Sequence, residues 1–406
     1  MAKTGTQDRR RLRIGFFVPW ITKGRGGTEN VGHMMANAMR QRGHDVTIFT
    51  FDDAKGPSCW PLDDGIDLVH LPEADDKQAD DKMVLAVAAK SLDLLVGLHM
   101  NRTFCRYVRC AQKVGVPIVL SEHIDPRFPK WLDVFDPAER EISFAGATLI
   151  HLLVEPFRDS LHESLHDRIR IVPNTIAPPA TMATPGADRS RKSILAVSRL
   201  VPRKNVDTLI RAFATLARAF PDWTLDIVGG GSMTGALKKQ IRSLGLGSRV
   251  VLHGETSDPY PFFAAADIFA IPSFLEGFPM TVCEAMAHGL PVVGFETCNG
   301  VNTQVVHGET GMLADGVDPV ASLAGALRPL MEDGDLRKRM GEAGQERYAG
   351  NYSNDVVFAM WEDMFFEAFD IGPVAPAPSR DEIVRLKLWE MVWGTAEVDT
   401  PVKKAF

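Results

Sequence analysis

Short apolar, β-branched runs alternate with stretches of helical period along most of the chain. That alternation marks βαβ units, whose parallel strands are covered on both faces and therefore read as continuous apolar runs. In the first half the predicted strands are Leu12 to Val18, Val46 to Thr50, Leu94 to Gly97, Ile118 to Ser121, Thr148 to Leu152 and Ile169 to Val172, with helices in the intervals. A second series comprises Ser193 to Val197, Leu225 to Val228, Val250 to His253, Ile268 to Ile271 and Pro291 to Gly294. Between the two, from Pro173 to Arg191, the stretch NTIAPPATMATPGADRS has neither period and the composition of an interdomain linker. Beyond Val317 the pattern is helical throughout: Val356, Val357, Met360, Trp361, Met364 and Phe365 recur at helical spacing within Asn354 to Phe369, and Asp381 to Trp393 is a further amphipathic segment. The expected fold is α/β, with two doubly wound domains, 1–185 including the linker and 186–352, followed by C-terminal helices over 353–406 that pack back toward the first domain.

Composition narrows the class. A chain of 406 residues exceeds one ordinary core, and 45% hydrophobic with 24% charged residues is a globular balance. The net charge of -7 argues against a protein held on nucleic acid by overall charge, since phosphate neutralisation needs a basic surface. Five cysteines, Cys59, Cys105, Cys110, Cys283 and Cys298, without CxxC spacing read as reduced thiols in a cytosolic protein, and no zinc site is expected. Basic residues precede IGFFV near the start, as in a signal peptide, but the run ends at Pro19 without a small-residue cleavage site, so a first buried strand is expected there. No stretch reaches the roughly 20 apolar residues of a membrane span, so any membrane contact is peripheral.

Ligands of doubly wound sheets bind at the carboxyl ends of strands, which directs attention to the loops there. In PWITKGRGGTENVG, Gly24, Gly26 and Gly27 precede a helix starting near Thr28, an arrangement that lets backbone N–H groups approach an anion. Neither this loop nor Gly229-Gly230-Gly231 has the G-x-G-x-x-G spacing of dinucleotide binding, and glycines that simply make tight turns are the plainer reading. The loop SRLVPRKNVDTLIRAF offers Arg199 and Lys204, with Asn205 placed to cap a helix; a planar fork and an ammonium beside a helix N-terminus suit a diphosphate. A solvated basic turn is the alternative. In SFLEGFPMTVCEAMAHGLPVV, Glu276 lies in a turn and Glu284 in the helix that runs from about Pro279 to His288, with the amides of Gly277, Phe278 and Met280 between them. Glu284 could hold the vicinal diol of a ribose while Glu276 and the amides grip a second polyol. The competing readings are two solvated glutamates, or the acid/base pair of a glycosidase. The basic loop favours the grip, because a hydrolase of neutral sugars has no use for a diphosphate clamp.

Together GRGGTE, SEH, VPNT, SRLVPRKN and EGFPMTVCEAMAHGLPVV resemble the retaining GT-B glycosyltransferases of family 4, over nearly the whole chain from Arg11 to about Phe369. The resemblance implies two Rossmann-like domains facing across a cleft, a nucleotide-sugar donor mainly on the second and the acceptor on the first. By position, Arg199 and Lys204 would hold the diphosphate, Glu284 the ribose, and Glu276 with Gly277, Phe278, Pro279 and Met280 the donor sugar. Gly26 and Gly27 would approach the diphosphate, and the GETSD turn with Gly254, Glu255 and Thr256 would lie near the base. His123 matches the histidine that approaches the reacting sugar, so His123 and Glu276 are the expected catalytic residues. Glu29 and Asn174 are expected on the acceptor side; Thr175 stands where the V-P-N-G element has glycine, which puts the local turn in question. No cofactor or metal is expected, the nucleotide-sugar being a substrate. The only D-x-D, Asp333-Gly334-Asp335, lies between helices.

The implied activity moves a hexosyl residue, with retention, from a UDP-linked donor to a saccharide or lipid-linked saccharide acceptor in surface polysaccharide, lipopolysaccharide or glycolipid assembly; GDP-mannose is the alternative donor. Other readings on the same fold are a sugar-nucleotide epimerase, a phosphorylase, or an idle nucleotide-sugar-binding protein. Arg102, Arg106, Arg109 and Lys113 recur on one helical face that could rest on anionic lipid, with a solvated face as the equal alternative. The acids Asp75, Asp76, Asp80 and Asp81 read as a solvated face. The expected location is cytoplasmic, with peripheral contact at the inner face of the plasma membrane.

Overall fold

The computed structural model describes residues 10–24, 26–98, 103–127 and 137–374. Two compact units emerge: the chain leaves the first after Val172, the second runs from Pro173 to Val357, and from Phe358 the chain belongs with the first again.

The first unit is built on a parallel sheet of β1 (Arg13–Phe17), β2 (Asp45–Phe51), β3 (Asp67–Leu71), β4 (Leu94–Leu98), β5 (Ile118–Glu122), β6 (Leu149–Leu152) and β7 (Ile169–Ile171), in the order β3-β2-β1-β4-β5-β6-β7. Its central strands are buried end to end, LLVGL at β4 and IVLSE at β5 among them, as expected of strands covered on both faces. The run after the basic N-terminal residues is strand β1, in register with β2 through Ile14 opposite Val46. Helix Asn354–Ile371 supplies Trp361, Phe365 and Ala368 to this core, with Phe16 and Phe365 meeting edge to face at 5.9 Å.

The second unit has six parallel strands, β8 (Lys192–Val197), β9 (Trp223–Val228), β10 (Val250–Gly254), β11 (Ile268–Ile271), β12 (Val292–Phe295) and β13 (Gly311–Ala314), in the order β10-β9-β8-β11-β12-β13. Ile194, Leu225, Ile227 and Ile268 from the sheet pack with Leu209 and Phe213 of helix Val206–Leu216 and Leu323 and Leu327 of helix Pro319–Glu332. The strand order reverses between β8 and β11, the switch point at whose carboxyl edge the ligand crevice of a doubly wound sheet lies. The proline-rich segment after Val172 has no helix or strand and lies along the second unit, with Ala183 N–H bonded to the His288 carbonyl and Arg337 to that of Pro185.

Two strands escaped the sequence pattern, β3 and β13. Both are edge strands that are only partly buried: Asp67 and His70 interrupt DLVHL, and GMLA is short, opens on glycine and has no β-branched residue. The amphipathic segment 381–393 lies outside the described residues. Asp333 ends one helix and starts the next, its carboxylate accepting from Leu336 N–H at 2.9 Å, so the D-x-D is a capping device.

Candidate functional site

The crevice of the second unit is assembled from backbone first. Ser198 N–H donates to Val228 and Leu200 N–H to the Gly230 carbonyl at 2.7 Å, which lays the β8 loop directly on the β9 loop. Glycine is obligatory there: at φ +134° a Cβ on Gly229 would stand 1.9 Å from the Ser198 carbonyl oxygen, and at φ +151° one on Gly231 would stand 2.5 Å from that of Leu200. The triglycine therefore does more than turn the chain. It fixes the backbone on both sides of Arg199, whose side chain is exposed.

A single 3-10 turn, Pro202–Lys204, follows, and Asn205 adopts a left-handed conformation at φ 53°. Asn205 stands at the start of helix Val206–Leu216 but its side chain does not cap it, contrary to expectation. Instead its amide donates to the Pro272 carbonyl at 3.0 Å, across to the loop after β11, and its oxygen accepts from Thr208. Phe274 N–H returns the link by donating to Arg203. The two loops at the switch point are thus stitched together.

On this frame Glu276, 8% exposed, forms an ion pair through one oxygen with Lys204, and its other oxygen lies 3.8 Å from Arg203 Nη1. Burial alone would raise its pKa, but the charges of Lys204 and then Arg203 outweigh it and hold the carboxyl below the usual range. Burial in turn lowers the pKa of Arg203, against the opposing pull of Glu276. Arg203 was missed in the sequence because it sits between two better-matched motif positions. Glu284, in helix Met280–Ala287, is half-buried with no ion pair among the described residues, and burial pushes it up to about 7.

The backbone between the glutamates is held open. Pro279 precedes the helix in extended conformation, and the N–H groups of Gly277, Phe278 and Met280 donate to no protein acceptor among the described residues. From behind, Gly300 abuts this turn so closely that a Cβ would lie 2.6 Å from the Glu276 carbonyl and 2.7 Å from that of Gly277. Buried Gln304 donates to Gly300 and toward the Pro279 carbonyl. Phe278 packs edge-on against Tyr352 at 5.3 Å. At the neighbouring strand, Gly254 (φ 80°) accepts from Gly229 N–H, Glu255 reaches over Gly230, and Thr256 closes a turn with Asp258; Glu255 and Thr256 are exposed.

In the first unit, Gly26 precedes helix Gly27–Gln41, and Glu29 turns back over that start: a Cβ on Gly26 would meet its carboxylate at 2.2 Å. Glu29 itself is buried. His123 follows β5 with Nε2 2.6 Å from Ser121 Oγ. Asn174 falls in the second unit, its side-chain oxygen buried without a hydrogen-bond partner. Thr175 keeps a negative φ and its hydroxyl donates to the Tyr352 carbonyl at 2.7 Å, so the turn does not need the glycine of the family element.

The basic stripe on helix Thr103–Val114 is not a free cationic face. Arg106 is 4% exposed, bonded to Asp80 at 2.6 Å and to the Ala74 carbonyl, with Asp75 at 3.4 Å. Arg109 and Lys113 are exposed and lie 3.8 and 3.6 Å from Asp80 and Asp81. Asp76 caps helix Lys77–Ala88 through Ala79 N–H, so these acids are structural partners more than a solvated face. Arg102 lies outside the described residues. Among the described residues no helix is long and apolar enough to cross a membrane.

Comparison with known proteins agrees with this architecture. Residues 25–178 match the model described as Glycosyltransferase Family 4, and residues 180–347 that described as Glycosyl transferases group 1. An exopolysaccharide phosphotransferase of Streptomyces coelicolor is 27% identical over 391 residues, 88% of this chain but only 41% of that protein's length. A glycosyltransferase of Haemophilus influenzae described as uncharacterized is 29% identical over 321 residues, 75% of this chain and 86% of that one. The crystal structure of Anabaena HepE in complex with UDP and glucose superposes with a TM-score of 0.69 at 18% identity, covering 87% of this chain and 99% of that one, a likeness of fold. With both halves matched and the fold shared, the chain belongs to the family 4 glycosyltransferases and has the GT-B fold.

Proposed function

We propose that the protein transfers a hexosyl residue from a nucleoside diphosphate sugar to a saccharide or lipid-linked saccharide acceptor, with retention at the anomeric carbon, in surface polysaccharide or glycolipid assembly. The observation that carries this reading is the cluster of Lys204, Arg203 and Glu276 at the switch point of the second sheet, beside three undonated amides. Cations and amide donors match a diphosphate, and carboxylates match hydroxyls. In this reading Arg199 and Lys204 take the diphosphate, Glu284 accepts from the ribose diol, and Glu276 from the donor sugar once Lys204 turns to the phosphate. As the bond from the anomeric carbon to the phosphate oxygen breaks, the cations and the helix start take up the charge growing on the departing diphosphate, without a metal. The acceptor oxygen bonds to the anomeric carbon and its proton passes to the leaving phosphate oxygen. UDP is the proposed nucleotide, supported by the UDP bound to HepE and by family frequency.

A thermal-shift panel of UDP, GDP and their sugar conjugates tests the reading. Ligand at about 100 Kd adds roughly 2.7 kcal/mol to the folded state, so the true donor raises the melting temperature visibly. No shift with any of them sinks the proposal.

A further inference from the structure

We infer that Ser121 and His151 are positioning residues for His123, forming a buried relay that fixes which ring nitrogen of His123 carries its proton. In the parallel ladder Ser121 stands opposite His151, and His123 follows Ser121 by two residues, so strand periodicity directs all three side chains to one face. The distances form a chain: His151 Nε2 to the Val172 carbonyl 2.7 Å, His151 Nδ1 to Ser121 Oγ 2.7 Å, and Ser121 Oγ to His123 Nε2 2.6 Å.

The direction of each bond follows by elimination from its end. A carbonyl only accepts, so His151 Nε2 bears hydrogen. In a neutral imidazole Nδ1 then accepts, and the one hydroxyl hydrogen of Ser121 is committed to it. Ser121 Oγ meets His123 as an acceptor, which makes His123 Nε2 the protonated nitrogen. Neutrality of His151 is enforced by its surroundings: both it and Ser121 are fully buried, the Trp361 ring lies 4.2 Å away, and burial lowers the His151 pKa to about 4. The terminal carbonyl is itself anchored, since Val172 N–H donates to Leu152. His123 is thereby held in orientation and, when neutral, as the Nε2–H tautomer with Nδ1 as its acceptor nitrogen.

The consequence for catalysis rests on the glycosyl-transfer reading; the relay does not. Proton–nitrogen correlation spectra of histidine-labelled protein at mildly alkaline pH report the tautomer directly. The Nε2–H form is expected to dominate in the wild type and in His151→Asn, whose amide oxygen replaces Nδ1 as acceptor. In Ser121→Ala and His151→Phe the two nitrogen signals should converge as tautomers mix, with kcat lower on the order of tenfold and donor KM little changed. An Nδ1–H wild type, or a tautomer unmoved in both disrupting variants, overturns the inference. Should either disrupting variant fail to fold, the wild-type and His151→Asn spectra still decide it. A tautomer that moves as expected in a protein that transfers no sugar leaves the relay standing and removes the proposed function instead.

Discussion

Glu276 and Glu284 are separated by seven residues yet live in opposite electrostatic settings. Glu276 is ionised by its cations, whereas Glu284 is raised to about 7 by burial without one. A carboxyl whose folded pKa exceeds its ordinary value disfavours the folded state as pH climbs from about 4.5 to about 7, so stability from this group is lost over that window. A ligand that donates hydroxyls to the ionised form reverses the bias. Affinity for a nucleotide sugar should therefore fall as pH drops below 7, by up to about tenfold per unit, and Glu284→Gln should flatten the dependence. Calorimetric titration across that range checks both. At the other glutamate, Lys204→Ala should weaken nucleoside diphosphate binding and cost roughly 3 kcal/mol of stability by leaving a buried carboxylate short of its partner. Glu276→Ala should spare UDP binding and lose discrimination between sugars; a loss of bare UDP binding equal to that of Glu284→Ala would refute the division.

At the scale of elements, the loops of the second unit are positioned by glycine contacts that no side chain permits. Gly229→Ala should lower stability by roughly 2–3 kcal/mol in denaturant unfolding and weaken nucleotide binding, because the Ser198 carbonyl must retreat and carry Arg199 with it. The helix bearing Arg106, Arg109 and Lys113 makes the opposite point. Since the neighbouring acids already answer its charge, an Arg109→Ala/Lys113→Ala protein should float with anionic liposomes no less than the wild type. The strands buried on both faces were legible in the sequence because apolar runs follow from double coverage. The edges β3 and β13 were not, since polar residues interrupt the one and the other is a short run without β-branched residues. Arg199, Lys204, Glu276 and Glu284 could be singled out by motif and chemistry. Arg203, Gln304 and Gly300 could not, because their roles arise from contacts distant in sequence. His151 gave one faint signal, a histidine inside the apolar strand LIHL, whose meaning depends on the register with β5.

At the scale of the molecule, the two units differ in how the chain completes them. Among the described residues the second is one continuous stretch, whereas the first is written in two pieces separated by 185 residues, Pro173 to Val357. The second piece is not an ornament: Trp361 backs His151, Glu362 bonds Arg42 and His44, and Glu367 bonds Arg170. Trp361→Ala should accordingly cost roughly 3–5 kcal/mol in the first unit, readable as an early transition in thermal unfolding. During synthesis, then, the ribosome delivers the first unit's sheet long before the helix that seals it. Until residues past Phe358 emerge, Phe16 and the relay strand wait uncovered, so the nascent chain is at its stickiest while its later half is already able to close. A premature stop between Val357 and Trp361 would release a protein with its second unit intact and its first unit unfinished, a species to be sought among aggregates and protease fragments more than among active products.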